Sequence, residues 1–310
     1  MVQADKRMRI ATIFLRHGAE KYLDSQTRVD EIFLRQLPGI CRETIVVDTA
    51  LPPGYVEACG PQLTVLGADN TSSEFSGWDQ ALSWIGPAIW SYDLVHFATS
   101  ACFTLYVGYL ERFDLRLLRS VVGLPVCVGH IDCYNEPVRL LSYFSQHWIR
   151  TSFFFLPPAE LKALGSLVSL RDGKRIFTGD AALPFRDDAP LSENYRRYIY
   201  DWITGGDIGQ GVTWHSVFSL RQETLPEFER KAMAILNEHL FAIRLRALGC
   251  RTVDTTWLAT QLARDERDVN WTLGWRDQLA TRGVDAVLVE ANAGPFAASK
   301  ANATARDPVS

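Results

Sequence analysis

Residues 9–49 read RIATIFLRHGAEKYLDSQTRVDEIFLRQLPGICRETIVVDT, and the change of period inside this stretch decides the fold. RIATIFL at 9–15 is a short β-branched apolar run, VDEIFLRQL at 29–37 spaces its apolar residues at helical intervals, and ETIVVDT at 43–49 is a second apolar run. The simplest account is strand, helix, strand. Outward from there, QLTVLGA at 62–68, DLVHFAT at 93–99 and LPVCVGH at 124–130 are further strands, with WDQALSWIG at 78–86 and FDLRLLRSV at 113–121 helical between them. Strands that are apolar nearly throughout need cover on both faces. They predict an α/β fold, a mostly parallel, Rossmann-like sheet flanked by helices.

The second half is less regular. WIRTSFFFL at 148–156 reads as a strand, and PPAELKALG at 157–165 as a helix with proline at its start. A polar loop follows over 171–190. YRRYIYDWITGG at 195–206 and ETLPEFERKAMAILNEHLFAIRLRALG at 223–249 are helices, each stopped by glycine. Residues 270–289 supply a last helix and a short strand, VDAVLV. The expected organisation is one domain over 1–290, with a nucleotide-binding half at 1–135 and an acceptor half at 136–290 that carries a helical insertion at 171–235. The Ala/Asn-rich tail at 291–310 has too little apolar content to pack and is expected to be disordered.

Composition narrows the function classes. The 310 residues are 47% hydrophobic and 22% charged, and 32 basic against 36 acidic residues leave a net charge of −4. Such a chain buries enough surface to need no disulfide or metal staple. With no Lys/Arg block, no nucleic-acid partner is expected. Six scattered cysteines without a CxxC pair read as reduced, mostly buried thiols. The longest uncharged stretch, 94–110, contains His96, Thr99, Ser100 and Thr104 and falls short of the ~20 apolar residues of a membrane span. With no signal-peptide pattern either, a cytoplasmic location without a transmembrane segment is expected, which is compatible with peripheral membrane association.

The first turn, RHGAEKY, holds one glycine, so the GxGxxG dinucleotide fingerprint is missing, as are GxxxxGK[ST] and GxSxG. What remains is polar residues at the carboxyl ends of successive strands, where open α/β sheets bind ligands. Asp48 ends the second strand. Asp69, Asn70, Ser72, Ser73, Glu74 and Asp79 follow the third, and Thr99 and Ser100 the fourth. Taken singly, each is also a natural turn residue or helix cap.

Three segments in order resemble the GT-A-type nucleotide-sugar glycosyltransferases, in particular the bacterial polysaccharide enzymes that include the rhamnan synthesis protein F group. IVVDTALP at 45–52 is similar to the second-strand segment whose acidic residue, here Asp48, contacts the nucleoside. DNTSSEFSGWDQAL at 69–82 is similar to the loop that runs into a helix beside the base and pyrophosphate, which assigns Asp69, Asn70 and Asp79 to the donor. NEHLFAIRLRALGCRTV at 237–253 is similar to the acidic helix in which a carboxylate, here Glu238, precedes an Arg-Leu pair, here Arg244 and Leu245, and serves as catalytic base. The resemblance implies a nucleotide-sugar donor, a saccharide or lipid-linked acceptor, and an inverting transfer in surface polysaccharide synthesis. The chain departs from the pattern where a short acidic motif should follow the fourth strand. YDLVHFATSAC places Thr99, Ser100 and Ala101 there, which is no cage for a hard cation. A metal-independent enzyme whose basic residues neutralise the diphosphate is the preferred account. A divalent cation (Mg or Mn) held by other carboxylates, and a non-catalytic nucleotide-sugar-binding protein, are the alternatives, and no cofactor is assigned.

Transfer to a hydroxyl requires a group that takes the acceptor proton and something cationic near the departing phosphate. Glu238 is the candidate base, with a solvated helix face pairing it to Arg244 or His239 as the alternative. HWIRTSFFFL brings His147 and Arg150 to a strand as substrate-binding candidates, joined by Arg244. Arginine's planar fork suits phosphate, and an ion pair at the strand edge is its other use. His130 and Asp132 form a further polar strand end. GGDIGQGVTWH at 205–215, with Trp202 and Trp214, is a candidate closing loop on the acceptor side.

Overall fold

The computed structural model describes residues 7–20, 22–104, 107–206, 217–264 and 269–282. In chain order the elements are β1 (Arg9–Arg16), α1 (Ser25–Gln36), β2 (Cys41–Asp48), β3 (Val56–Gly60), β4 (Leu63–Gly67), β5 (Thr71–Ser73), α2 (Glu74–Ile85), β6 (Leu94–Thr99), α3 (Leu115–Val121), β7 (Val126–Leu140), β8 (Tyr143–Leu156), α4 (Pro158–Leu164), α5 (Glu193–Thr204), α6 (Leu225–Ala247), β9 (Arg251–Asp254), α7 (Thr255–Arg264) and α8 (Trp275–Thr281).

Eight of the strands form one sheet in the order β3-β4-β2-β1-β6-β8-β7-β9. β4, β2, β1 and β6 run parallel, β8 runs against both β6 and β7, and β7 pairs in parallel with β9. Only β3 and β8 therefore oppose the common direction, and the fold is α/β with a mostly parallel sheet.

The apolar strands are covered on both faces, and alternation along β8 shows how. Phe153 and Phe155 point into a cluster with Phe33, Phe14, Leu118 and Trp257, under α1, α3 and α7. Phe154 and Leu156 point the other way, into Trp78, Phe75, Leu161 and Phe241 of α2, α4 and α6. A third cluster joins Tyr134, Trp148 and Leu140 of the β7–β8 hairpin to Tyr195 and Ile199 of α5 and Phe228, Leu236 and Leu240 of α6. His96 is fully buried among Phe33, Phe153 and Phe155, and burial holds it far below the ordinary histidine range, so it is a neutral core residue.

The structure adds elements that periodicity did not reveal. β3 folds back antiparallel on β4 at the sheet edge, with every residue exposed. β7 runs on to Leu140, well past His130, so the 135/136 boundary between the expected halves falls inside a strand. β9 and α7 follow α6 directly, where no element was expected. Helix stops behave as read: Gly205 and Gly249 take φ of 88° and 84°, the left-handed conformation that glycine adopts without strain. Among the cysteines, Cys102, Cys127 and Cys250 are buried and Cys41 and Cys59 exposed, all unpaired. No described helix is long and apolar enough to cross a membrane. The VDAVLV segment, the 291–310 tail, residues 207–215 of the closing-loop candidate and with them Trp214 lie outside the described residues.

Candidate functional site

A cleft of about 450 Å³ opens at the carboxyl ends of the parallel strands. Leu15 and His17 reach it from the end of β1, Thr49 from the end of β2, Asn70 from the turn after β4, and Thr99 and Ser100 from the end of β6. Its opposite wall comes from β7, β8, α5 and α6. α6 contributes a stripe at helical spacing, Glu227, Arg230, Lys231, Ala234, Ile235 and Glu238, while its other side buries Leu236, Leu240 and Ile243. Register shifts in the β7–β8 pairing after Gly129 and Cys133 bend the hairpin and bring Asp132 and Tyr134 to the cleft.

Glu238 is held by one residue of β8. Its Oε1 accepts hydrogen bonds from the Thr151 backbone N–H at 2.8 Å and the Thr151 hydroxyl at 2.9 Å. Burial raises its pKa from the ordinary glutamate value; the two Thr151 hydrogen bonds and the nearby Arg150 pull the other way, and Asp132 adds to the rise. Glu74, the first residue of α2, reaches the same spot. Burial, with the Glu238 charge beside it, pushes its pKa up to about 7 against the pull of its own backbone, Arg230 and Thr151. Helix α2 can approach this closely because a Cβ on Gly77 would come within 2.6 Å of Leu15 Cδ1. The backbone is strained here as well: Ser73, immediately before Glu74, has φ 52° and ψ −136°, and Tyr22 has φ 63°. Both line the cleft, and such conformations in non-glycine residues persist where the surroundings force them.

The remaining charges are paired. Asp132 lies 3.4 Å from His130 Nε2 and 3.6 Å from Arg150 Nε. Burial opposes its ionisation, yet those two partners hold its pKa below the ordinary value. Arg230 forms a two-pronged pair with Glu227, at 2.8 and 2.7 Å. His239 is buried between Tyr134 and Tyr195, hydrogen-bonded to both hydroxyls, and burial lowers its pKa to about 3. Tyr134, Trp148, Tyr198 and Trp202 give the same wall an aromatic surface, with Tyr134 4.6 Å from Trp148 and 4.3 Å from Tyr198 between ring centroids.

Of the residues singled out in the sequence, Asn70, Ser73, Glu74, Thr99, Ser100, Asp132, Arg150, Trp202 and Glu238 line this cleft. Asp48, Asp69, Asp79, Arg244 and His147 do not. Asp48 is buried, its carboxylate consumed by Arg16 Nε at 2.7 Å and the N–H groups of Gly18 and Ala50 at 2.8 and 3.0 Å. Asp69 closes its own turn on the N–H and hydroxyl of Thr71. Asp79 accepts from the Leu167 N–H at 2.6 Å and borders a separate cavity of about 550 Å³ with Trp90, Lys162 and Arg171. Arg244 donates to the Leu164 carbonyl at 2.7 Å and to Ser169 Oγ at 3.0 Å, so it holds the same 164–169 segment as Asp79. His147 is buried, stacked on Trp275 at 4.7 Å, and burial lowers its pKa to about 3. Sequence reading named Glu74 only among the polar residues after the third strand and passed over Thr151, Arg230 and Lys231. The α6 stripe at 227, 230, 231, 234 and 238 was available as a period; the convergence of α2 and β8 on it was not.

The donor set does not fit a divalent cation of the kind the glycosyltransferase resemblance implies. Thr99 and Ser100 offer hydroxyls, Asp132 is spent on His130 and Arg150, and the described residues form no group of three or more His, Cys, Asp or Glu able to hold a metal ion.

No family model matches the chain, and no curated protein does. Among solved structures it is similar to the mannosyltransferase PcManGT from Pyrobaculum calidifontis, in complex with GDP-Man and Mn2+, at 12% identity over 94% of this chain and 88% of that one, with a TM-score of 0.32. At that score no likeness of detail follows.

Proposed function

We propose that the protein is a GT-A-like glycosyltransferase that transfers a sugar from a nucleotide-sugar donor to a saccharide or lipid-linked acceptor, with inversion, in cytoplasmic assembly of a surface polysaccharide. One observation carries the reading. Glu238, the base implied by the sequence resemblance, projects from α6 into the same cleft as Asn70, Thr99 and Ser100 at the strand ends. Its Oε1 is committed to Thr151, which leaves Oε2 with no hydrogen-bond partner among the described residues and available to an acceptor hydroxyl. In the proposed step Oε2 takes the hydroxyl proton as the acceptor oxygen bonds to the anomeric carbon. The bond from that carbon to the diphosphate breaks, and the diphosphate leaves with the electron pair. Arg150, Arg230 and Lys231 supply positive charge on the wall that the leaving group would face. The aromatic surface of Tyr134, Trp148, Tyr198 and Trp202 suits the apolar face of a sugar ring.

A second reading, a non-catalytic nucleotide-sugar-binding protein, is favoured by one feature: Thr99, Ser100 and Ala101 stand where the resemblance expects carboxylates. Thermal-shift measurements with a panel of nucleotide sugars, with and without Mn²⁺, test whether the cleft binds a donor at all. A ligand at 100 times its Kd adds ~2.7 kcal/mol to folding stability. Asn70→Ala should weaken that binding about three- to tenfold, and no shift with any donor counts against both readings.

A further inference from the structure

The cavity of about 550 Å³ beside Asp79 shares no lining residue with the cleft. Helix α2 runs back from the carboxyl to the amino ends of the parallel strands, and α4 starts at that same edge, because Leu156 at the end of β8 pairs with Val95 near the start of β6. The cavity therefore lies toward the sheet edge away from the cleft, between the end of α2, the short 3₁₀ turn Gly86–Ser91, α4 and Arg171.

Its chemistry is one-sided. Asp79 is the one carboxylate in the lining, and it already accepts from the Ser166 hydroxyl at 2.5 Å and the Leu167 N–H at 2.6 Å. Lys162 and Arg171 have no acidic partner among the described residues, and Arg171 leans on Ser166 Oγ at 3.5 Å. Trp90 is 56% exposed and packs on no other ring among the described residues, so its indole is left to the cavity and solvent. Ser83 adds a hydroxyl, likewise without a partner among the described residues. Two unpaired cations, a spare hydroxyl and an open indole suit a ring that has an apolar face and carries negative charge, and the volume lies in the range of small-molecule sites. A concave pocket of this size does not suit the flat surface of a bilayer. From this geometry we infer that the cavity is a second saccharide-binding site and that it takes an acidic sugar, a uronate, with its ring on Trp90 and its carboxylate between Lys162 and Arg171.

The wall is in place before a ligand arrives. Asp79 fixes Ser166 and Leu167 to α2, and Arg244 ties the same segment to α6 through the Leu164 carbonyl at 2.7 Å and Ser169 Oγ at 3.0 Å. A preformed wall loses little freedom on binding. Asp79 and Arg244, which do not reach the cleft, are positioning residues of this second site. Glu74 in the first turn of α2 lines the cleft and Ser83 near its end lines the cavity, about 14 Å apart along the helix axis. A short oligosaccharide covers such a distance. The site fits the task of holding an acidic polysaccharide chain while its end is extended in the cleft; that task, unlike the ligand class, rests on the glycosyltransferase reading.

Calorimetry with tetragalacturonate, and with neutral maltotetraose beside it, tests the site without turnover. In about 50 mM salt the acidic tetramer should bind roughly tenfold more tightly than the neutral one, and the advantage should shrink in about 0.5 M salt as the two cations are screened. Trp90→Ala should raise its Kd about three- to tenfold. Lys162→Gln combined with Arg171→Gln should bring the two sugars to the same Kd. All three side chains are exposed, so the variants should melt with wild-type Tm. No binding of tetragalacturonate, equal binding of the two tetramers to the unmodified chain, or a Kd that Trp90→Ala leaves in place overturns the proposal. Guanosine or uridine monophosphate bound more tightly than the tetramer, and weakened by the same substitutions, would make the cavity a nucleotide site and overturn the sugar assignment. Failure of every nucleotide sugar to bind would defeat the transferase reading and leave these measurements standing.

Discussion

Asp48 at the end of β2 and Glu238 on the wall opposite look alike as sequence: each is an acid beside an apolar run, and each is singled out by the same resemblance. The structure separates them by the company they keep. Asp48 receives two backbone N–H groups and an arginine; burial opposes its charge, yet those donors together hold its pKa below the ordinary value. Glu238 accepts from Thr151, and burial, with Asp132 nearby, pushes its pKa upward. The first arrangement locks a loop; the second leaves a carboxylate whose proton affinity is raised. A carboxylate with every lone pair satisfied is structure, and one with a free oxygen in a cleft is chemistry.

The contrast can be broken by substitution. The largest effect is expected at Glu238: replacement by Gln preserves shape and removes the proton acceptor, and kcat should fall about 10² to 10⁴-fold while donor Kd, measured by calorimetry, changes little. Next is Asp48→Ala, which strands Arg16 and the Gly18 and Ala50 N–H groups and should cost about 2–4 kcal/mol in denaturant unfolding. A stability within about 0.5 kcal/mol of wild type would mean that Asp48 is not the loop's anchor. Smaller again is Thr151→Val. It deletes one of the two donors to Glu238 and should lower kcat about tenfold below neutral pH, less above, because the base becomes harder to ionise. EDTA is expected to do least. Activity should survive it, given the hydroxyls at Thr99 and Ser100, and loss of activity restored by Mn²⁺ would return the search to the carboxylates of the cleft.

How far the sequence alone reaches follows the same divide. The parallel half was legible because β1, β2, β4 and β6 are apolar runs separated by amphipathic helices, and both periods survive in one dimension. β9 and α7 were not: RTVD is too short to show a period, and it abuts TTWLATQLAR without a turn signal. The length of β7 was hidden by its irregular stretch from Asp132 to Pro137, where half-buried and exposed residues surround the buried Tyr134 and no regular alternation survives. In the site, position along the chain marked the strand ends correctly, so Asn70, Thr99 and Ser100 meet in the cleft. It could not tell a side chain that turns inward to cap its own loop, as Asp69 and Asp48 do, from one that faces the ligand. Glu74 was visible only as one of several polar residues after the third strand, because what distinguishes it is Glu238, 164 positions away.

The pH dependence of kcat/KM, taken for wild type and Glu238→Gln side by side with the donor found by thermal shift, is the most direct test of the central claim that Glu238 is the base. Because Glu238 must be ionised to accept the proton and its pKa is raised, the wild-type profile should climb through an acid limb lying above the ordinary glutamate value of 4.5. That limb should vanish in the low residual rate of Glu238→Gln. A wild-type limb at or below 4.5, or one that persists unchanged in Glu238→Gln at near wild-type rates, would contradict the account.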